Sequence, residues 1–282
     1  MKYGLTSLAW ISPFSSEHLD MLARCRDMGF DVFEIDVEDE TAIDCVAISR
    51  AARSAGVEIG LCGAFGESRN LSALDAQVRG NAVGYVKRLV DFAVALGSPY
   101  VGGNMYAATG DCERRTEEEK AARMARAADS IRECAEYAKK RSVRLAIEPL
   151  NRFETDMVNT VAQAMELLDA VGMENVGLLL DTFHMNIEES DLCAAIRSAR
   201  GRIVDFHACA NNRGTPGQDN FDWQAIRQAL SDAQYDGNLV IESFTPDCVE
   251  IARAASIWRK LAPSPDRLAQ DGLAFLKNVF QA

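Results

Sequence analysis

The 282-residue sequence has only three histidines, no Cys-x-x-Cys pair and no run of lysine and arginine. It also lacks any apolar stretch near the roughly 18 residues that cross a bilayer. Each absence excludes something. Three histidines are too few for a trinuclear zinc centre of the kind found in barrel endonucleases. A net charge of -12 without a basic patch repels a phosphate backbone, so no nucleic-acid partner is expected. No membrane partner is expected either. The opening MKYGLTSLAW lacks the charged-then-apolar pattern of a secretion signal, which predicts a cytoplasmic protein. The eight cysteines scatter over positions 25, 45, 62, 112, 134, 193, 209 and 248 and read as reduced thiols, not as a disulfide framework. Cys62 and Cys209 fall near expected strand ends, where each reads as a small buried hydrophobe. Finally, no Gly-rich phosphate turn follows the first expected strand, which argues against a doubly wound open sheet.

What is present is an ordinary soluble balance, 48% hydrophobic and 26% charged, arranged in an alternating grammar. Short Val-, Ile- and Leu-rich runs recur eight times with amphipathic stretches between them, the pattern of a parallel sheet covered by helices. The runs predict strands over 3–10, 32–37, 58–62, 100–103, 144–148, 176–181, 203–207 and 239–242. Ser15-Ser16-Glu17-His18 reads as a helix start, Gly29, Gly56, Gly97 and Gly172 as helix stops, and Thr116 followed by three glutamates as another start. Closing the strands leaves no exposed sheet edge. The expected fold is α/β, a single (β/α)8 TIM barrel spanning residues 1–282.

A barrel of this kind keeps its chemistry at the carboxyl ends of its strands. The last four expected strands end in Glu148, Asp181, His207 and Glu242, each after an apolar run. Taken singly, a carboxylate there is as easily a helix cap or a solvated loop residue. Three carboxylates and an imidazole at one mouth repel one another unless a cation lies between them. Oxygen ligands with one nitrogen suit Mn²⁺ or Mg²⁺, with Co²⁺ able to substitute. The competing explanation is a metal-free salt-bridge cluster, disfavoured because no Arg or Lys stands at these strand ends.

The segments E-P-L-N-R-F-E at 148–154, L-D-T-F-H-M-N-I-E-E at 180–189, H-A-C-A-N-N-R at 207–213 and V-I-E-S-F at 240–244 carry a resemblance. They resemble the ketose 3-epimerases (D-tagatose, D-allulose or psicose, and L-ribulose 3-epimerases) within the xylose-isomerase-like barrels. The resemblance is dense over the second half and thinner over residues 1–143. It implies Glu148, Asp181, His207 and Glu242 as ligands of Mn²⁺ or a similar ion, and Glu154, His184 and Arg213 as contacts to substrate oxygens. It also implies a homodimer or homotetramer. Ala210 and Ser243 stand where many members have Glu and Pro. Considered without the family, His184 reads as a structural histidine, Arg213 as the partner of a loop carboxylate, and Glu154 as a cap for a helix beginning near Thr160. Trp10, Phe65, Tyr106 and Phe244 are candidates for an apolar wall.

Inverting a carbon beside a ketone requires removal of a carbon-bound proton, and two carboxylates on opposite sides can trade the roles of base and acid. Glu148 and Glu242, on strands five and eight, are the candidate pair. The expected function is metal-dependent epimerisation at C3 of a free ketohexose or ketopentose through an enediolate, with a small sugar as the partner. An aldose–ketose isomerase or a 3-oxo-glycoside lyase would use a similar site. A sugar-binding protein without catalysis would have no need of the opposed carboxylates.

Overall fold

A computed structural model describes residues 1–281. Its strands are β1 (Lys2–Thr6), β2 (Val32–Val37), β3 (Glu58–Gly63), β4 (Tyr100–Gly103), β5 (Arg144–Ile147), β6 (Val176–Asp181), β7 (Ile203–His207) and β8 (Asn238–Ile241). All eight pair in parallel, each with the next in sequence, and β8 returns to β1, so the sheet closes into a barrel. The helices are α1 (Asp20–Asp27), α2 (Cys45–Ala55), α3 (Ala76–Leu96), α4 (Glu117–Lys139), α5 (Val161–Val171), α6 (Thr182–Glu188), α7 (Leu192–Ser198), α8 (Trp223–Asp232), α9 (Val249–Ala254) and α10 (Pro265–Phe280). Among the described residues no helix is long and apolar enough to cross a membrane.

The expected eight-strand alternation is the one observed, and the terminators act by the expected physics. Gly56, Gly97 and Gly172 close α2, α3 and α5 in the left-handed conformation that a Cβ disfavours. Thr116 opens α4 through a reciprocal capping box with Glu119. Two boundaries differ by more than one residue. The first strand ends at Thr6 rather than at residue 10, because the chain turns there: the amides of Trp10 and Ile11 both donate to the Ser7 carbonyl. The first helix begins at Asp20 rather than after Ser15, because His18 Nδ1 already takes the Ser15 amide in a local turn.

Most of the core lies between sheet and helices, where outward side chains such as Leu5, Phe33, Ile35, Leu61 and Leu178 are fully buried. A second, smaller apolar cluster of Cys62, Ala146 and Leu179 fills part of the barrel interior. Gly102 is required there, since a Cβ on it would lie 2.7 Å from Cys62 Sγ and 2.8 Å from Leu179 Cδ1. Polar groups share the interior: Glu34, Asp205 and Tyr100 are all buried. Buried ionisable groups are costly unless partnered or functional, and these stand directly beneath the barrel mouth.

Candidate active site

Strand register brings the four strand-end donors together. Asp181 is the direct lateral partner of His207 across β6 and β7, and His207 pairs with Val240, two residues before Glu242 on the same face of β8. Glu148 follows β5 immediately, its amide donating to the Gly103 carbonyl. The Thr182 hydroxyl ties two of these strand ends, donating to the Cys209 carbonyl at 2.5 Å and accepting from the Cys209 amide. One ligand atom from each of Glu148, Asp181, His207 and Glu242 lies within 4.8 Å of the other three. Asp181 divides its oxygens: Oδ1 accepts from the Phe183 amide and caps α6, while Oδ2 faces the cluster.

This donor set fits a divalent ion. Among the described residues His207 Nδ1 is buried without a hydrogen-bond partner, 3.6 Å from Glu242 Oε2 and 4.0 Å from Asp181 Oδ2. An orphaned buried nitrogen facing carboxylates has the placement of a metal ligand.

Arg213 changes the electrostatics in a way the sequence did not disclose. It arrives from the loop after β7 and places Nη1 2.5 Å from Asp181 Oδ2 and 2.6 Å from Glu242 Oε2. A cation therefore does stand at these strand ends, contrary to expectation, because loop geometry and not strand position delivers it. Arg213 is 4% exposed and lies with its guanidinium carbon 4.2 Å from the centre of the Phe183 ring. Burial would raise Glu242, but the Arg213 and His207 charges outweigh it and hold its carboxyl down at about 2. Glu148 goes the other way: burial first, then the Glu242 charge, push it well above the ordinary range. The two carboxyls proposed to exchange protons thus sit in environments that drive them apart.

His184 and Glu154 complete the arrangement. Burial, with Arg213 beside it, lowers the His184 imidazole to about 3, so the ring is neutral. The Asn151 amide donates to its Nδ1 at 3.1 Å, which leaves the ring proton on Nε2. That nitrogen is 3.0 Å from Arg213 Nη2 and 3.8 Å from Glu148 Oε1. Two donors, His184 Nε2 and Arg213 Nη2, therefore face one another beside the carboxylates. Glu154 does not cap the helix near Thr160, since Thr160 and Gln163 form their own capping box. It accepts instead from Asn151 Nδ2 at 2.8 Å and, with Arg213, lines a cavity of about 110 Å³. Phe183, Phe244 and Ile251 supply apolar wall to that cavity. Of the four aromatic candidates, only Phe244 stands there: Trp10 stacks on Phe33, Phe65 packs edge-on against Tyr85, and the Tyr106 hydroxyl donates to the Val158 carbonyl.

Sequence reasoning missed Glu34 and Asp205. Glu34 Oε1 lies 2.8 Å from His207 Nε2, and Asp205 is held well above its ordinary range by burial and then by the Glu34 charge. The signal was present as acids inside the apolar strands V-F-E-I-D-V and I-V-D-F-H, where solvent cannot reach them.

A family profile described as the xylose isomerase-like TIM barrel matches residues 22–279. A Synechocystis protein named as a probable ketose 3-epimerase is 34% identical over 286 residues, covering 100% of this chain and 97% of that protein. The L-ribulose 3-epimerase of Mesorhizobium japonicum is 31% identical over 279 residues, covering 98% and 93%. The chain belongs to the ketose 3-epimerase family. As a member of that family it is an isomerase-class enzyme, and the fold agrees closely. A D-psicose 3-epimerase structure with D-tagatose, from Clostridium cellulolyticum H10, superposes with a TM-score of 0.92 at 28% identity over 99% of each chain.

This family member carries a local device at Ser243. Its hydroxyl donates to the Arg213 carbonyl at 2.6 Å, and Arg213 has a φ of 62°, a left-handed conformation unusual for arginine. Proline at 243 could not make that bond. Ser243→Ala is expected to lower stability by about 1–2 kcal/mol, the scale of a lost buried hydrogen bond, and to raise KM more than it lowers kcat. Urea midpoints and steady-state kinetics check both; an unchanged KM would mean that the bond does not hold Arg213.

Proposed function

We propose that this barrel, as a single catalytic domain spanning 1–282, inverts C3 of a free ketohexose or ketopentose using one divalent ion. Glu148, Asp181, His207 and Glu242 would hold the ion, Mn²⁺ by the chemistry of the donors, with Mg²⁺ or Co²⁺ as substitutes. The observation that carries the proposal is the convergence of these four side chains within 4.8 Å, beside Glu154, His184 and Arg213. When bound, such an ion supplies positive charge that stabilises an enediolate as it develops.

The chain's own residues perform the proton transfers. Glu148 and Glu242 approach from β5 and β8, so one takes the C3 proton while the other returns a proton to the opposite face. His184 Nε2–H and Arg213 Nη2, two donors 3.0 Å apart, would both donate to a single substrate oxygen in front of them, at the apex of the triangle they form. This would polarise the carbonyl end of the sugar. Glu154 accepts from a substrate hydroxyl and is oriented for it by Asn151. The apolar wall of Phe183, Phe244 and Ile251 would shield a sugar bound beside Glu154 and Arg213 from water.

Incubation with a panel of free ketoses and Mn²⁺ is expected to yield the C3 epimer of at least one of them. An aldose as the main product would support the isomerase alternative, and release of an aglycone from a 3-oxo-glycoside the lyase alternative. All eight cysteines are free, which fits the reducing cytoplasm, where we place the enzyme. We also propose a homodimer or homotetramer, for which exposed Leu74 and Trp258 offer apolar contact area. Light scattering should give a multiple of the chain mass; a monomer at every concentration would contradict it.

A further inference from the structure

We propose that Glu34, in the middle of β2, is a positioning residue that orients the His207 imidazole toward the cluster at the barrel mouth. The inference rests on reading that cluster as a divalent-metal site. Glu34 would touch neither the ion nor the sugar. It acts through the far side of the ring.

An ionised carboxylate only accepts hydrogen bonds, so the 2.8 Å contact between Glu34 Oε1 and His207 Nε2 places the ring hydrogen on Nε2. A ring that ligates an ion must be neutral, and with its hydrogen on Nε2 the lone pair is at Nδ1, the nitrogen that among the described residues is buried without a partner and faces Asp181 and Glu242. The opposite tautomer would point a hydrogen at the cluster and could not ligate. Glu34 is itself held in place. It is fully buried, and its Oε2 accepts from the Tyr100 hydroxyl of β4 at 2.5 Å. Gly60 of β3 leaves the room for that contact, because a Cβ there would lie 2.6 Å from Tyr100 Oη and 3.1 Å from Glu34 Cγ and Oε2. Three strands thus build a chain, Tyr100 to Glu34 to His207, ending on the nitrogen opposite the cluster. Carboxylates placed this way behind a ligating imidazole fix its orientation and strengthen it as a donor.

Cys62, Glu34 and His207 also bring ligand atoms together, but an ion among them does not fit. Two ligands at about 2.0–2.2 Å from one tetrahedral ion stand about 3.3 Å apart, and Glu34 Oε1 and His207 Nε2 are closer than that. They share a hydrogen instead.

The test is Mn²⁺ titration of the metal-free protein, followed through the signal of free Mn²⁺, for wild type and Glu34→Gln. Glu34→Gln is expected to weaken Mn²⁺ binding by about 10- to 100-fold, and Tyr100→Phe, which keeps the carboxylate but frees its second oxygen, by less. Independently of any variant, ring ¹⁵N spectra of the Mg²⁺-loaded wild type should show His207 carrying its hydrogen on Nε2. With three histidines in the chain, the assignment is tractable. Wild-type affinity in Glu34→Gln, or a hydrogen on His207 Nδ1, would overturn the role of Glu34 and leave the metal reading standing. No Mn²⁺ binding by the wild type would overturn both.

Discussion

Glu148→Gln and Glu242→Gln are each expected to lower kcat for C3 epimerisation by about 10²- to 10⁴-fold at saturating metal, the range that a positioned acid or base contributes. Both side chains also belong to the proposed ligand set, so loss of activity alone would not separate a proton-transfer role from a metal role. The distinguishing result is asymmetric. A variant that keeps one of the two carboxylates should still exchange the C3 hydrogen of one epimer with solvent, without converting it. Glu148→Gln and Glu242→Gln should do so for opposite epimers. Equal loss of exchange from both epimers, with metal still bound, would contradict the two-carboxylate account.

Arg213→Ala is expected to destabilise the metal-free protein by about 3–5 kcal/mol, the scale for removing one partner of a buried ion pair. The cause is local: Asp181 and Glu242 lose the guanidinium that lies 2.5 and 2.6 Å from them, and Glu148 is already crowded by the same charges. A divalent ion supplies replacement charge, so added Mn²⁺ should stabilise the variant more than the wild type, seen as a larger rise in Tm. The pH dependence has a definite sign. Glu242 is depressed from 4.5 to about 2 in the folded protein, so its stabilisation is present above about pH 4.5 and is lost as pH falls toward about 2. Arg213→Ala removes the main source of that depression, so the stability gap should be widest above about pH 4.5 and close in acid. Activity should fall by about 10²- to 10³-fold, as for loss of one donor to a developing oxyanion. Arg213→Lys should not restore it, because one ammonium cannot reproduce the forked contacts to Asp181, Glu242 and the His184 side. A gap that ignores both Mn²⁺ and pH would show that Arg213 acts through packing alone.

The barrel was legible because its signals are local and repeated. Apolar runs, glycine stops and the Thr116 cap each report on a few neighbouring residues, and β2, β4, β6 and β7 fall where the pattern predicts them. The four strand-end donors were legible for the same reason, since strand position alone carries them to one mouth. What eluded the sequence depends on side chains distant along the chain. Arg213 reaches Asp181 and Glu242 from a loop after β7, where it adopts a φ of 62° that its own sequence does not announce. Glu34 meets His207 across 173 residues and the width of the barrel. The early end of β1 was missed because T-S-L-A-W remains apolar while the backbone turns onto the Ser7 carbonyl.

Proton movement at C3 by the two glutamates leaves a label that solvent deuterium reveals. Wild-type enzyme with Mn²⁺ and a saturating ketose in deuterated water is expected to place deuterium at C3 of the sugar and to form its C3 epimer. Deuterium found mainly at C1 or C2, with C3 unlabelled, would contradict the account.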